Sequence, residues 1–148
     1  MTLLPRFVIG AALALAPLSA AHAQSTPAWT PAQAISAAAA SSGGEVEGTV
    51  EFQVVSTGAS GFSYFLNSEA DYRSPANLSV EIQASAANAL RARYNAEPSD
   101  ALDGKRVRVR GIVHRVPIPR RDPKPGEPDH YYQTRVDVQS ADQITILD

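Results

Sequence analysis

The feature that most constrains the fold is a strict alternation of apolar and polar residues in several short stretches. In residues 46–54 the even positions are Val or Phe, apart from Gly48, and the odd positions are polar. Residues 78–82, LSVEI, and residues 106–110, RVRVR, alternate in the same way. Because successive side chains of a strand point to opposite faces, this period of two predicts strands that bury one face and expose the other.

These stretches and their neighbours predict five strands and one helix. We expect the strands over residues 45–54, 62–67, 78–82, 105–116 and 131–138, with residues 144–147 closing the chain. After the third strand, Ala84–Tyr94 is rich in Ala, Leu and Arg and contains no Gly or Pro, which predicts a helix. Three strands, a helix and two strands is the order of the OB-fold, a mainly β, five-stranded Greek-key barrel. A β-grasp or a sandwich is the alternative.

Glycines and prolines mark the expected connections. Residues 57–61, TGASG, predict a turn after the first strand, and residues 98–100 and 103–104 predict turns before the fourth. Gly111 lies within the fourth strand and predicts a bulge or a barrel corner. Residues 117–129 contain five prolines. Because Pro cannot donate to a strand ladder, we expect this segment to be a loop.

The first 23 residues have the layout of an export signal. Arg6 precedes an apolar stretch over residues 7–18, and Ala21-His22-Ala23 forms a small-x-small cleavage site. The apolar stretch is too short to span a membrane, although a retained anchor is the alternative. We therefore expect cleavage between Ala23 and Gln24, and a periplasmic or secreted protein that is not inserted in the membrane afterwards.

Residues 24–44 consist mainly of Ala, Ser, Thr and Pro, and we interpret them as a low-complexity linker. Within this segment Thr30, Pro31 and Gln33 fit a capping box with Pro at the first helical position. A short Ala-rich helix with few apolar side chains to bury is expected there. The OB-fold domain is expected over residues 45–148.

Composition excludes several kinds of chemistry. The chain contains no cysteine, which excludes disulfides, a thiol nucleophile and a thiolate metal site. It carries 13 Lys and Arg against 15 Asp and Glu, a balance unlike that of a typical nucleic-acid binder. The charge is unevenly distributed, because residues 103–124 contain eight basic and two acidic residues. Such asymmetry points to an anionic partner.

Part of this positive charge forms a row on the exposed face of the fourth strand, with Lys105 and Arg115 nearby. The row consists of Arg106, Arg108 and Arg110. It suits a phosphate backbone, but the first strand, its neighbour in an OB barrel, exposes the carboxylates of Glu45, Glu47 and Glu51. Opposite charges across a strand pair stabilise a sheet by about 0.2–1 kcal/mol each. We favour cross-strand pairing for the row.

The polar segment after the second strand raises the question of a metal site. Its oxygen-bearing side chains at alternate positions are Asn67, Glu69 and Asp71. An EF-hand loop would next need Gly at its sixth position and Glu at its twelfth, where this chain has Tyr72 and Leu78. His114 and His130 alone make a weak metal site, and no catalytic triad or Gly-rich phosphate loop is recognisable. We expect no catalytic residue, no metal ion and no cofactor.

Five segments together resemble small exported bacterial OB-fold domains. They are VEGTVEFQVV (46–55), YFLNSEADYRSP (64–75), LSVEI (78–82), LDGKRVRVRGIV (102–113) and SADQITIL (140–147). The resemblance extends to the nucleic-acid-binding OB superfamily and to the barrel of thermonuclease-like proteins, and it implies a binding domain. The calcium-binding Asp-Gly-Asp-Thr loop of thermonucleases is not matched, because Lys105 and Arg106 follow Asp103-Gly104. The nuclease activity is therefore not implied.

OB domains bind oligomers on their second and third strands and on the loop before their last strand. In these regions tyrosines alternate with cations, at Tyr64, Tyr72, Arg73, Arg120, Arg121, Lys124 and Tyr131. We expect the rings to stack on bases and the cations to contact phosphates. Three acidic residues in the same loop favour instead a loop that is simply solvated, namely Asp122, Glu127 and Asp129.

The chain is thus predicted to be an exported OB-fold binding protein without catalytic activity. Its expected partner is single-stranded nucleic acid or another polyanion. A periplasmic protein-interaction or small-ligand module that uses the same face is the alternative. A divergent metal-dependent phosphodiesterase is a third hypothesis.

Overall fold

The computed structural model describes residues 26–147. Its elements are, in chain order, α1 (Pro31–Ala40), β1 (Glu45–Gln53), β2 (Ser56–Ser60), β3 (Ser63–Asn67), β4 (Leu78–Ile82), α2 (Ala84–Tyr94), α3 (Pro98–Leu102), β5 (Arg106–Pro119), β6 (His130–Val138) and β7 (Ile144–Ile146). A 3₁₀ turn, Ala141–Gln143, precedes β7. The expected export signal and its cleavage site lie outside the described residues. None of the helices within 26–147 has the length and apolarity needed to cross a membrane.

The strands form one mixed sheet. Their hydrogen-bonded order is β1-β5-β6-β4-β3-β2, and β7 pairs with β5 beside this path. The β4–β6 pair is parallel and the other pairs are antiparallel. The mainly β class is confirmed. Within residues 26–147 the sheet has seven strands, not five, its hydrogen bonding is not closed, and three α-helices accompany it.

The two strands at the ends of this order, β1 and β2, are separated along the chain only by Val54 and Val55. The Val54 N–H donates to the Lys105 carbonyl at 2.8 Å, and the Val55 N–H donates to the Asn67 carbonyl at 2.9 Å. Within these two residues the backbone therefore changes its hydrogen-bonding neighbour, from the β5 side to β3. The turn predicted over residues 57–61 is wrong, because this polar stretch pairs with β3 and the chain reverses at Gly61 and the residue after it.

The core lies between the inner face of the sheet and the helices. Its largest fully buried side chains include Leu66, Leu78, Ile82, Leu90, Leu102 and Ile144. Burial of one such side chain stabilises the fold by roughly 1.5–3 kcal/mol. The helix predicted over Ala84–Tyr94 is confirmed as α2, and its C-cap residue, Asn95, has the left-handed conformation with φ of 51°.

Helix α1 begins with the predicted capping box. The Gln33 N–H donates to the Thr30 hydroxyl at 3.3 Å, and the Thr30 N–H donates to the Gln33 side chain at 2.9 Å. The inward side of α1 presents Ala34 and Ala38, both fully buried. Small side chains let the helix approach the sheet closely. The folded unit in the structure therefore includes residues before Glu45.

Trp29 fastens the start of α1 to the sheet. Its N–H donates to the Thr49 carbonyl at 2.8 Å, and its carbonyl accepts from the Glu51 N–H at 2.9 Å. The indole ring packs over Gly48, where a Cβ atom would overlap the ring. Gly48 thus provides the close approach that the ring requires.

Strand β5 runs without interruption through Gly111. Gly48 and Gly111 face each other in a continuous β1–β5 register, so the predicted bulge is wrong. A Cβ at Gly111 would lie 3.0 Å from the Val136 side chain, and glycine permits this close contact with β6. The strand also continues through Pro117, opposite Tyr132, so the loop predicted over residues 117–129 begins only after Pro119. Proline is tolerated where a strand has a neighbour on one side.

Substitution of Gly48 tests the packing of Trp29. Gly48→Ala places a Cβ inside the indole ring, so the free energy of unfolding should fall by about 1–3 kcal/mol. Urea denaturation followed by fluorescence of the single tryptophan measures this change. The matched control is Gly43→Ala, because a Cβ there meets nothing within 4 Å and should change stability by less than about 0.5 kcal/mol. Equal stabilities of the two variants would contradict the packing.

Candidate functional site

A groove lies between α1, the loop after β3 and the β5–β6 hairpin. Its volume is about 450 Å³, within the range of roughly 300–1,000 Å³ common for ligand sites. One side is apolar and is formed by Ile35, Ala39 and Pro75. The other side carries Arg73, Arg115, Arg120, Tyr131, Tyr132 and Thr134. We call the cavity lined by these nine residues the basic groove.

Arg115 and Tyr132 form the centre of the cationic side. They lie diagonally across the β5–β6 hairpin, because Arg115 faces Thr134 in the register. Both are on the face of the hairpin that carries the buried Val113. The guanidinium carbon of Arg115 is 3.9 Å from the centre of the Tyr132 ring. Such a cation–π contact contributes about 0.5–1 kcal/mol at an exposed site, so it holds the guanidinium over the ring.

The other two arginines of the groove make the same kind of contact. The Arg120 guanidinium carbon lies 5.4 Å from the centre of the Tyr131 ring. That of Arg73 lies 4.9 Å from the centre of the Tyr72 ring. Each arginine of the basic groove is therefore held against a tyrosine.

The arginines of the basic groove are not engaged in ion pairs with carboxylates in the described residues. No Asp or Glu is among its lining residues. Within residues 26–147, ion pairs to carboxylates involve other arginines and two histidines, and not Arg73, Arg115 or Arg120. A concave surface lined by one sign of charge concentrates oppositely charged ligands. The groove is therefore suited to an anion.

The arginine row on the opposite face of β5 is partly neutralised. Arg108 donates from Nε to the Glu51 carboxylate at 2.6 Å, and Arg106 lies 3.6 Å from the same carboxylate. The expected cross-strand pairing is confirmed at Glu51. The other two glutamates of β1 have no arginine opposite, because Glu45 faces His114 and Glu47 faces Ile112.

Among the seven residues predicted to bind the ligand, the structure brings Arg73, Arg120 and Tyr131 together in the basic groove. It does not bring Arg121 or Lys124 there. Both are exposed in the loop between β5 and β6 and line neither of the two grooves. Their closeness in sequence to Arg120 does not place them on the same surface.

Tyr72 lines a second groove of about 500 Å³ on the outer face of β3, β4 and β6, beside β2. Arg135 lies in this second groove, but its charge is compensated. Its guanidinium donates to the Glu81 carboxylate at 3.2 Å and to the side-chain oxygen of Gln133 at 2.8 Å. The outer face is polar without the uncompensated charge of the basic groove.

Tyr64 lies away from both grooves and joins β3 to the helices. Its hydroxyl donates to Glu97 at 2.6 Å and accepts from Arg91 at 3.2 Å, while Arg91 binds both Glu97 oxygens at 2.8 Å. The Arg91 guanidinium, followed by the Tyr64 hydroxyl, lowers the pKa of Glu97 from 4.5 to about 2. Glu97 in turn raises the pKa of Arg91. This arrangement gives Tyr64 a structural role.

The oxygen-bearing side chains of the segment after β3 do not converge. Asn67 is buried and accepts from the Ser79 hydroxyl at 2.5 Å and from Asn77 at 3.3 Å. Asp71 accepts from the Arg73 N–H at 2.9 Å and so closes a turn. In the part of the chain that the structure describes, no group of three or more metal-ligating side chains is found. The segment is built as a polar turn.

Sequence reasoning did not select Arg115, Tyr132, Ile35 or Ala39 for the site. Arg115 and Val113 are two residues apart in β5, so an unbroken alternation through this strand places Arg115 on the inner face. The break expected at Gly111 would have reversed the alternation, and Arg115 was therefore not assigned to this face. The apolar side of the groove depends on the packing of α1, which the weak apolar pattern of the α1 sequence does not indicate.

No family model and no curated protein matches the chain. Among solved structures, the chain is similar to the aspartyl tRNA synthetase from Entamoeba histolytica, with 14% identity and a TM-score of 0.38. The match covers 70% of this chain and 18% of that chain. This TM-score is too low to establish a shared fold.

The low pKa of Glu97 predicts a pH-dependent contribution to stability. A carboxyl whose pKa is lowered by folding stabilises the protein above its unfolded pKa, and this stabilisation is lost as the pH falls through the folded pKa. The Glu97→Gln variant should therefore be less stable than the unchanged protein at pH 7. The difference should shrink between pH 4.5 and about 2.

Urea midpoints at pH 7, 4.5, 3 and 2 measure this difference. The matched control is Glu47→Gln, because Glu47 faces Ile112 and is exposed. The control should show no comparable dependence. A stability difference for Glu97→Gln that stays constant from pH 7 to pH 2 would contradict the role assigned to the carboxylate.

Proposed function

We propose that the sheet is a partly open OB-type barrel. The two ends of its strand order, β1 and β2, are joined by only Val54 and Val55, whose N–H groups bond to opposite neighbours. If β1 and β2 are counted as one bent strand, the remaining order follows the five-stranded Greek key. The position of α2 between β4 and β5 and the parallel β4–β6 pair support this proposal.

We propose that the protein binds single-stranded nucleic acid or another phosphate-rich polyanion in the basic groove, without catalysis. The observation that carries the proposal is the convergence of Arg73, Arg115 and Arg120 on one cavity with no carboxylate to neutralise them. A guanidinium presents a planar fork of N–H donors that matches phosphate geometry. The three arginines thus offer several charge-assisted hydrogen bonds to one ligand.

The overall charge distribution supports binding at one place. The chain has a formal net charge of −2, so its general surface does not attract polyanions. Neutralisation of phosphates releases counterions, and each phosphate contact on a single strand adds about −0.7 to the slope of log K against log salt. Three arginine contacts therefore correspond to a slope of about −2.

We also propose a periplasmic or secreted location, which the features of residues 1–23 support. Expression in a Gram-negative host followed by fractionation and N-terminal sequencing tests this proposal. The expected product is periplasmic and begins at Gln24. Recovery of uncleaved chain from the cytoplasm or the membrane would contradict it. A variant with Ala21 and Ala23 changed to Gln should remain uncleaved, because the site requires small residues.

A second candidate function is that of a small-ligand module using the second groove. The observation that favours it is a buried hydrogen-bonded cluster of Asn67, Asn77 and Ser79 beneath a cavity of about 500 Å³. A built polar floor of this kind suits an uncharged polar ligand. The Asn67→Ala variant separates the two sites. If this variant binds an oligonucleotide as the unchanged protein does, the oligonucleotide does not occupy the second groove.

The proposed function predicts a strong effect of the groove arginines on oligonucleotide binding. The double variant Arg115→Ala plus Arg120→Ala removes two charge-assisted contacts of about 1.5–3 kcal/mol each. Its Kd for a fluorescent oligothymidine at low salt should rise by at least about 100-fold. Fluorescence anisotropy across a salt series measures the Kd and the salt slope together.

Single variants supply the matched control for this experiment. Arg115→Ala and Arg110→Ala change the net charge equally, but Arg110 lies in the exposed row opposite Thr49. Arg115→Ala should weaken binding by about tenfold or more, whereas Arg110→Ala and Arg121→Ala should stay near the unchanged protein. Equal losses of affinity in all three variants would indicate that long-range electrostatic attraction, and not binding in the groove, holds the oligonucleotide. Absence of binding at low salt would overturn the proposal.

A further inference from the structure

The basic groove combines cations with aromatic rings, and such a site can read a nucleic acid through its bases or through its phosphates. We infer that this groove recognises the phosphates of its ligand and does not stack on the bases. The inference rests on the proposed function and deepens it by naming the chemical group that is read.

The rings of the groove already have partners. Sequence-tolerant binders of single strands offer open aromatic faces on which bases stack. One face of the Tyr132 ring carries the Arg115 guanidinium at 3.9 Å, and the His130 ring meets Tyr132 in an edge contact at 5.0 Å, while 46% of the residue stays exposed. A base that stacked on the face occupied by Arg115 would have to displace the guanidinium.

The Tyr131 ring of the groove makes the same kind of contact with Arg120 at 5.4 Å, and Tyr72, which lines the second groove, makes it with Arg73 at 4.9 Å. All three distances fall within the roughly 6 Å over which a cation and a ring attract each other. A guanidinium that lies over a ring keeps the N–H groups on its edges available. These edges match the oxygens of a phosphate.

Apart from the arginines and Thr134, the lining lacks side chains that read base edges. Base edges are recognised by Asn, Gln, Asp and Glu side chains as well as by Arg. None of these amides or carboxylates lines the basic groove, and the wall opposite the arginines consists of Ile35, Ala39 and Pro75. The groove thus distinguishes an anion from a neutral molecule, and it has no amide or carboxylate with which to distinguish one base from another.

The ligand class that follows is a chain of closely spaced phosphates. A phosphodiester backbone and an inorganic polyphosphate share this chemistry. The tyrosines act in this scheme as positioning residues, because they orient the guanidinium groups and do not contact the ligand through their ring faces.

Three probes test the inference on the purified chain. They are a fluorescent oligothymidine of about 12 nucleotides, an abasic strand with the same backbone and label, and an inorganic polyphosphate of matched charge as a competitor. We expect the Kd values of the first two probes to agree within about threefold, because the bases contribute little. Displacement of the oligothymidine by polyphosphate at lower concentration than by the abasic strand assigns the ligand to polyphosphate, and the reverse order assigns it to a phosphodiester.

The outcomes separate this inference from the function on which it rests. If the oligothymidine binds and the abasic strand binds at least about tenfold more weakly, bases are stacked and the inference is overturned while the proposed function stands. If neither strand binds and polyphosphate does not bind, the proposed function itself fails.

Tyrosine variants supply a second readout. Tyr132→Phe keeps the ring beneath Arg115, so its Kd for the abasic strand should stay within about twofold of the unchanged protein. Tyr132→Leu removes the ring and should weaken binding of both strands by the same factor, about two- to fivefold. A loss with Tyr132→Leu that is confined to the strand with bases would overturn the inference, because it would show direct stacking.

Discussion

The groove depends on the unbroken course of β5, whose 14 residues pair with β1, β6 and β7. The alternation of its side chains directs Arg106, Arg108 and Arg110 outward and Arg115 inward, onto the face that carries the core. Gly111 preserves this alternation, because it allows β6 to approach without a shift in register. A single break in β5 would move Arg115 away from Tyr132 and dismantle the cationic side of the groove.

Arginine therefore has two different roles in this protein. On the outer faces Arg108 is paired with Glu51 and Arg135 with Glu81, and both pairs contribute to the sheet. In the basic groove arginine lies against tyrosine rings and keeps its charge available for a ligand. The apolar wall that completes the groove comes from α1, which Trp29 fastens to β1. The site thus depends jointly on β5 and on the packing of α1.

The sequence indicated the parts of the fold in which one residue pattern dominates. The alternation over residues 46–54 and 78–82 and the composition of Ala84–Tyr94 placed β1, β4 and α2 correctly. It failed where tertiary contacts override local signals, as in the polar β2 and in Pro117 within β5. For the site, it indicated the basic and aromatic composition but included Tyr64, whose hydroxyl is bound to Glu97. Side-chain partners of this kind are set by the packing of β3 against α3, which no local pattern reveals.

We propose that the anionic ligand lies between α1 and the β5–β6 hairpin. A ¹H–¹⁵N NMR titration of the chain with the abasic strand tests this location, because each amide reports its own surroundings. We expect the largest shifts at Ile35, Arg115 and Tyr132, and little change on the outer face around Phe65. Shifts concentrated at Phe65 and its neighbours in the second groove, with residues of α1 unchanged, would contradict it.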